Sequence, residues 1–378
     1  MIRKYLALAI SACVFVSPVA GGAQPSLDSL EGLGEALFFD TNLSANRTQA
    51  CASCHIPEAG FADPRGMASI GDDGASIGDR NAPTLTYAAL TPEFGKDKDG
   101  RWHGGQFWEG RASTLEDQAG GPPLNPIEMG MTDKAAVVGR LRENADYIAA
   151  FDALFGPSVL EDTDRGYDAM TAALASFERM PLFQPFDSKY DRYLRGEAEL
   201  TSEELLGETL FFSQQFTNCN LCHQLNPLAA TEGEVFTNYQ YFNIGVPRND
   251  ALREMNGVPL ETADQGLSAH PQVGDMAEAG KFKVPTLRNV AVTAPYMHNG
   301  IFEDLRTVVL FYNRHNSRSE ARQINPETGE NFGPAPFPDT LAVTELMEGD
   351  ALKDREIDAL VAFMRTLTDQ RYEHLLTE

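Results

Sequence analysis

Cationic side chains, cysteines and long apolar runs are all scarce in this sequence. Lysine and arginine number 30 against 55 aspartates and glutamates, a formal net charge of −25. A surface of that sign repels nucleic acid and anionic lipid, and it can steer a basic partner. Cysteine numbers five, and Cys13 sits in the N-terminal apolar stretch. The other four, Cys51, Cys54, Cys219 and Cys222, come as two close pairs, a pattern of disulfides or of metal sites. Beyond the N-terminus no stretch is long and apolar enough to cross a bilayer, so no membrane span is expected. The start, MIRKYLALAISACVFVSPVAGGAQ, has a charged Arg3-Lys4, a short apolar run and then small residues. It reads as a secretory signal over residues 1–23, cleaved near 21–24, with an uncleaved anchor as the alternative. The expected mature protein is soluble and lies in the periplasm.

What is present is organised as a repeat. LGEALFF (33–39) precedes CASCH (51–55), and LGETLFF (206–212) precedes CNLCH (219–223). Leu33 and Leu37, like Leu206 and Leu210, stand one helical turn apart and give each helix an apolar stripe. Two copies so far apart predict two related domains rather than a solenoid, consistent with the length of 378 residues. The expected division is 24–185 and 186–378, with the crossover at PLFQPFDSKYDRYLRG (181–196) and its two prolines. Helical patterns recur at 135–155, 164–180, 303–316 and 351–367. Residues 61–130 carry turn chemistry such as GDDGASIGDRNAP and GGPPLNP, and a long structured loop region of this kind is usually functional. Strand patterns are few and short. The predicted fold class is mostly α.

Cys-x-x-Cys-His is the attachment pattern of c-type haem. Two thiols must reach the two vinyl groups of one porphyrin while the adjacent histidine faces the iron. A thioredoxin-like pair needs neither the histidine nor a second copy, and a zinc site would bring two such pairs closer together in sequence. Two covalently bound haem c groups are therefore expected, with His55 and His223 as proximal ligands and all four cysteines consumed by thioethers. The loop region then supplies Gln118, Glu128, Trp102 and Trp108. A glutamine and a glutamate beside an iron can bind a peroxide and move its proton.

These motifs, with DRNAPT (79–84), QFWEGRASTLEDQAGGPPLNPIEMG (106–130), FDSKYDR (186–192) and FKVPTLRNVAVTAPYMHNG (282–300), resemble the bacterial di-haem cytochrome c peroxidase superfamily over nearly the whole mature chain. GDDGASIGDRNAPTLTYAAL, FNIGVP (242–247) and FKVPTLRNVAVTAPYMHNG are most similar to its MauG branch. The resemblance implies an enzyme that uses hydrogen peroxide, or dioxygen plus electrons, to reach a bis-Fe(IV) state and oxidise residues of a partner protein. The branch completes tryptophan tryptophylquinone on a methylamine dehydrogenase precursor. It implies that Gln118, Glu128 and Pro122 line the peroxide-binding haem and that Trp108 couples the two haems. It also implies that Asn81 and the backbone carbonyls of Thr293 and Pro295 hold a calcium ion between them. The other activity of the superfamily is peroxide reduction with electrons from a small cytochrome or cupredoxin, and the resemblance keeps that donor in play. Typical members place a second histidine ahead of the RNAPT stretch to block the first iron. Residues 56–80 here contain no histidine, so an open first iron is expected.

TAPYMHNGIFEDLRTVVLFYNRHN (293–316) offers Tyr296, Met297, His298, Tyr312 and His315 as candidate ligands of the second iron. On residue chemistry alone Met297 and His298 are fair candidates, since His/Met ligation is common in c-type cytochromes. Tyr312 lies instead on a predicted helix, with Leu305, Val308 and Val309 on the same face. In the typical peroxidases the methionine ligand falls where this chain has Tyr312, and the MauG branch has tyrosine there. The resemblance therefore makes Tyr312 the expected ligand, and an anionic phenolate favours oxidised iron over ferrous iron. One residue departs from the branch. Its members relay electrons to the docked partner through a tryptophan two residues before the second haem motif, and this chain has Thr217 there.

Overall fold

The two leader motifs each form a helix because a capping side chain and an apolar stripe coincide. In the computed structural model, which describes residues 26–347 and 349–376, Leu30–Phe38 is capped by Ser29, whose side chain accepts from the Gly32 amide. Ser202–Phe211 opens on a capping box between Thr201 and Glu204. The expected signal sequence and cleavage site fall outside the described residues. Among those described, the chain is rich in helix and has only two short antiparallel strand pairs, Gly95–Lys96 with Trp102–His103 and Tyr241–Phe242 with Phe282–Lys283. The fold is mostly α. The apolar pattern at 135–155 is two helices, Lys134–Leu141 and Ala145–Phe155, because Asn144 caps the second and so divides the run.

Each leader helix crosses a long partner helix, Thr163–Glu178 in the first half and Asp354–Arg365 in the second. The crossings are made at glycine. A Cβ on Gly34 would lie 2.0 Å from the Ala173 carbonyl oxygen and 2.9 Å from Phe177 Cβ. A Cβ on Gly207 would lie 1.9 Å from the Ala359 carbonyl oxygen and 2.7 Å from Phe363 Cβ. Only glycine lets the two backbones approach this closely. The crossings extend the internal repeat into ALASFE (173–178) and ALVAFM (359–364).

A third repeated piece follows each haem motif. Thr84 donates its hydroxyl to the Gly60 carbonyl at 2.5 Å and Thr286 to the Val235 carbonyl at 2.7 Å. In each case the same hydroxyl oxygen accepts the amide two residues on, Thr86 or Arg288. Ala82-Pro83-Thr84-Leu85 and Val284-Pro285-Thr286-Leu287 are thus one structural element used twice. Two hydrophobic cores result, one drawn from residues between Leu33 and Phe183 and one from residues between Tyr190 and Leu367. Polar contacts tie the halves together: Tyr87 donates to Asp369 at 2.6 Å, and Asn289, which donates to the same carboxyl at 2.8 Å, also donates to the Thr86 hydroxyl at 3.2 Å. Beside them Arg288 grips Asp191 with two nitrogens at 2.5 and 2.9 Å, with both side chains buried.

Candidate functional site: two haem cavities and a shared wall

Each Cys-x-x-Cys-His forms a single helical turn, Cys51–Cys54 and Cys219–Cys222, which sets its two thiols on one face. The histidine amide closes the turn onto the first cysteine carbonyl at 2.9 Å in both copies. All four thiols are free. His55 Nδ1 meets the Phe61 carbonyl at 3.2 Å and His223 Nδ1 the Phe236 carbonyl at 3.1 Å. A carbonyl can only accept, so Nδ1 carries the proton and Nε2 is left with its lone pair for a metal. Burial holds both imidazoles neutral, His223 down at about 4. Free paired thiols, an oriented neutral imidazole and an adjoining cavity in each half fit a covalently attached haem.

The first cavity, about 720 Å³, is lined by Cys51, Cys54 and His55 together with Trp108, Gln118, Pro122 and Glu128. The second, about 590 Å³, is lined by Cys219, Cys222 and His223 with Trp108, Tyr296, Met297, His298 and Tyr312. Both volumes suit a cofactor site. The structure therefore gathers the four residues expected at the first haem on one cavity wall. Gln118 is on a short helix, Leu115–Ala119, fixed by a capping box between Thr114 and Asp117. A 3-10 turn from Pro122 to Leu124 carries the chain to Asn125, whose side-chain amide donates to Glu128 Oε1 at 2.8 Å. Burial raises the Glu128 carboxyl, while the charge of Arg111 and the Asn125 hydrogen bond oppose the rise. A carboxyl so placed can hold or release a proton at the cavity.

At the second cavity Leu305, Val308, Val309 and Tyr312 all face inward from the helix Leu305–Asn313. No protein group among the described residues hydrogen-bonds the Tyr312 hydroxyl, and burial pushes its phenol above the usual range. His315 is not on the lining. Met297 sits at φ 71° in the turn after the cis Ala294–Pro295 bond. His298 is stacked on Phe282 with ring centroids 3.6 Å apart. Thr217 is buried, with its hydroxyl on the Leu210 carbonyl at 2.5 Å. His103 belongs to a strand, and Trp102 stacks on Phe94 away from the cavities.

Trp108 lines both cavities and is held on one side by its indole and on the other by its backbone. Its indole Nε1 donates to the Asn81 carbonyl at 2.9 Å, and its own carbonyl accepts the Lys283 amide at 2.8 Å. Asn81 and Lys283 are the same position of the repeat, two residues before Pro83 and Pro285. Asn81, expected with Thr293 and Pro295 to hold calcium, also meets the second half at this seam. The Asn81 amide donates to the His298 carbonyl at 2.8 Å. Among the described residues no donor is bonded to Asn81 Oδ1 or to the carbonyls of Thr293 and Pro295, so three neutral oxygens stay free for a hard cation. No cluster of three or more His, Cys, Asp or Glu competes for a metal among the described residues.

Sequence reasoning did not find Asn125, Lys283 or Glu178. The Asn-Pro-Ile-Glu spacing could have given the first. The repeated Pro-Thr-Leu could have given the second. Glu178 lines the first cavity where the repeat puts Met364 on the second, with Leu174 and Leu360 likewise matched.

Residues 28–199 match the family described as di-haem cytochrome c peroxidase. The chain is 52% identical over 369 residues to the methylamine utilization protein MauG of Paracoccus denitrificans, covering 96% of this chain and 95% of that one. Among solved structures it is similar to the diheme peroxidase BthA of Burkholderia thailandensis, at TM-score 0.78 and 32% identity, over 92% of this chain and 88% of that one. It is also similar to a MauG-like protein associated with microbial copper homeostasis, at TM-score 0.66 and 31% identity, over 97% and 99% of the two chains.

Proposed function

Because the chain belongs to the di-haem cytochrome c peroxidase family, with MauG among its relatives, we propose that it is a periplasmic enzyme that oxidises residues of a partner protein. The oxidant is hydrogen peroxide, or dioxygen plus electrons. Two haem c groups are the cofactors of this oxidoreductase, and when bound they supply its redox chemistry. The single observation that carries the reading is Trp108, which lines both cavities and is hydrogen-bonded to the matching residue of each repeat.

The chain's own residues divide the work. Cys51, Cys54 and His55 hold the first haem. No histidine between residues 56 and 80 is there to cover it, and Gln118 and Pro122 bound the space where the oxidant binds. Glu128, steadied by Asn125, takes a proton from the bound peroxide at one oxygen and returns it at the other. Cys219, Cys222 and His223 would hold the second haem, and Tyr312, on the same cavity, is the residue that would complete its coordination. A phenol that burial keeps neutral ionises only against a strong positive charge, which ferric iron provides. A phenolate at this position would disfavour the ferrous state of a bound haem. Trp108, which lines both cavities, would lie between the two haems and let oxidising equivalents reach a partner protein that does not touch the first haem. Asn81 and the backbone carbonyls of Thr293 and Pro295 would hold a calcium ion.

The partner is a methylamine dehydrogenase precursor or a protein presenting a similarly oxidisable tryptophan. A second reading has a specific observation in its favour: Thr217 is buried and cannot be oxidised, so no tryptophan relay stands at that position. On that reading the enzyme reduces peroxide with electrons from a small cytochrome or cupredoxin, as expected of a protein similar to a diheme peroxidase. One experiment separates them. Peroxide is added to wild type and to Tyr312→Met in the presence of candidate partner proteins, with mass spectrometry for oxygen insertion or cross-links. Partner modification by wild type that Tyr312→Met loses, with both haems retained, supports the first reading. Rapid turnover with reduced cytochrome c and an unmodified partner rejects it.

A further inference from the structure

We propose that the side-chain ammonium of Lys283 binds a haem propionate at the wall between the two cavities, a reading that rests on both cavities holding haem. Among the described residues the two linings share two cations, Arg253 and Lys283. Arg253 faces Asp79 at 3.5 Å. The neighbouring Arg80 is held by Asp264 through two nitrogens, each at 2.7 Å, and by Glu109. Lys283 has no carboxylate within ion-pair distance among the described residues. Its Nζ donates to the Gly105 carbonyl, which accounts for one of its three N–H groups.

An enclosed ammonium without a counter-ion is costly. Burial accordingly pushes Lys283 down to about 7, against a smaller opposing pull from Glu109. A carboxylate entering either cavity would remove that penalty and occupy the two spare donors. The only anionic groups on a haem are its two propionates, so the ligand class is a carboxylate borne by the cofactor. The repeat sharpens the point. At the equivalent position the first half has Asn81, which is neutral, so the charge is specific to one side of the wall. Lys283 holds Trp108 through its backbone amide, and a side-chain substitution leaves that contact in place.

The test uses the full di-haem protein with Lys283→Met and Lys283→Arg. Covalent haem content is checked by pyridine haemochrome. Resonance Raman reports the propionate bending bands, and spectroelectrochemistry follows each haem separately by its own spectrum. Removing a nearby positive charge disfavours the ferrous state. The Met variant is expected to keep both haems, to shift the propionate band of one of them, and to raise that haem's ferric-to-ferrous ratio about tenfold at the wild-type midpoint, or about 59 mV for one electron. Lys283→Arg should restore both signals. A shift confined to the first haem assigns the propionate to the first cavity, and one confined to the second assigns it there. Unchanged bands and unchanged potentials at both haems overturn the proposal. If Lys283→Met does not fold, Lys283→Gln is read by the same two criteria. Tyr312 coordination is followed separately through its phenolate-to-iron charge-transfer absorption, so a failure there is distinguishable from a failure at Lys283.

Discussion

Asn125 and Glu178 put two different proton-holding arrangements on one cavity. Asn125 donates to Glu128 at 2.8 Å and so favours its ionised form. Asn125→Ala should move Glu128 further up, and the acid limb of the peroxide reaction rate, read by stopped flow, should shift to higher pH with it. An unmoved limb would separate Glu128 from the proton transfer. Among the described residues Glu178 forms no ion pair and its Oε2 meets no hydrogen-bond donor; burial raises its carboxyl to about 8, against a smaller opposing pull from Arg179. The folded state therefore binds its proton where the unfolded chain does not. Stability falls as pH rises from the ordinary carboxyl range through about 8, with the full cost present above it. Glu178→Gln should flatten that slope in urea midpoints and gain up to a few kcal/mol at the alkaline end, at about 1.4 kcal/mol per pH unit. An equally steep slope in the variant would rule Glu178 out as its source. Residues of this kind are poorly legible in a sequence. A buried carboxyl and a solvated one look alike until the helix that carries it is seen to cross another.

The haem motifs and leader helices could be read in advance because thioether attachment tolerates no change of spacing and because Leu33/Leu37 and Leu206/Leu210 keep a helical period. Tyr312 was legible as a cavity-facing residue for the same reason, since its stripe with Leu305, Val308 and Val309 is periodic. The helices at 164–180 and 351–367 were expected as well, but their matched crossings and the repeated Pro-Thr-Leu element were not. A longer insertion after the second haem motif than after the first puts the copies out of register, and each is short. Their equivalence lies in hydrogen bonds, Thr84 to Gly60 and Thr286 to Val235, and in contacts at Gly34 and Gly207. The glycines give a test at this scale. Gly34→Ala and Gly207→Ala must each push a Cβ into a carbonyl oxygen about 2 Å away. Each should destabilise its own half by about 1–3 kcal/mol or more, seen in thermal unfolding followed by the Soret circular dichroism of the haem in that half. A variant that melts like wild type would mean that the crossing can open without loss.

At the scale of the molecule, charge and seam decide how the enzyme meets its substrate. A formal net charge of −25 should draw a basic partner, and that attraction is screened over about 8 Å at physiological salt. Added salt should lower kcat/KM for partner oxidation while leaving the reaction with free peroxide unchanged; a flat salt profile would reject charge steering. The division into two halves was legible in the duplicated motifs, whereas the seam between them was not, because Tyr87, Asp369, Asn289 and Trp108 are distant in the chain and share no pattern. Trp108 is gripped from both sides, by Asn81 of one half and Lys283 of the other. Such a grip would act as a safety interlock. If the halves part by even a bond length, Trp108 loses either the Asn81 hold on its indole or the Lys283 hold on its backbone, and the proposed path between the two haems would be cut before either cofactor is lost. A damaged molecule would fall silent instead of discharging a strong oxidant at random.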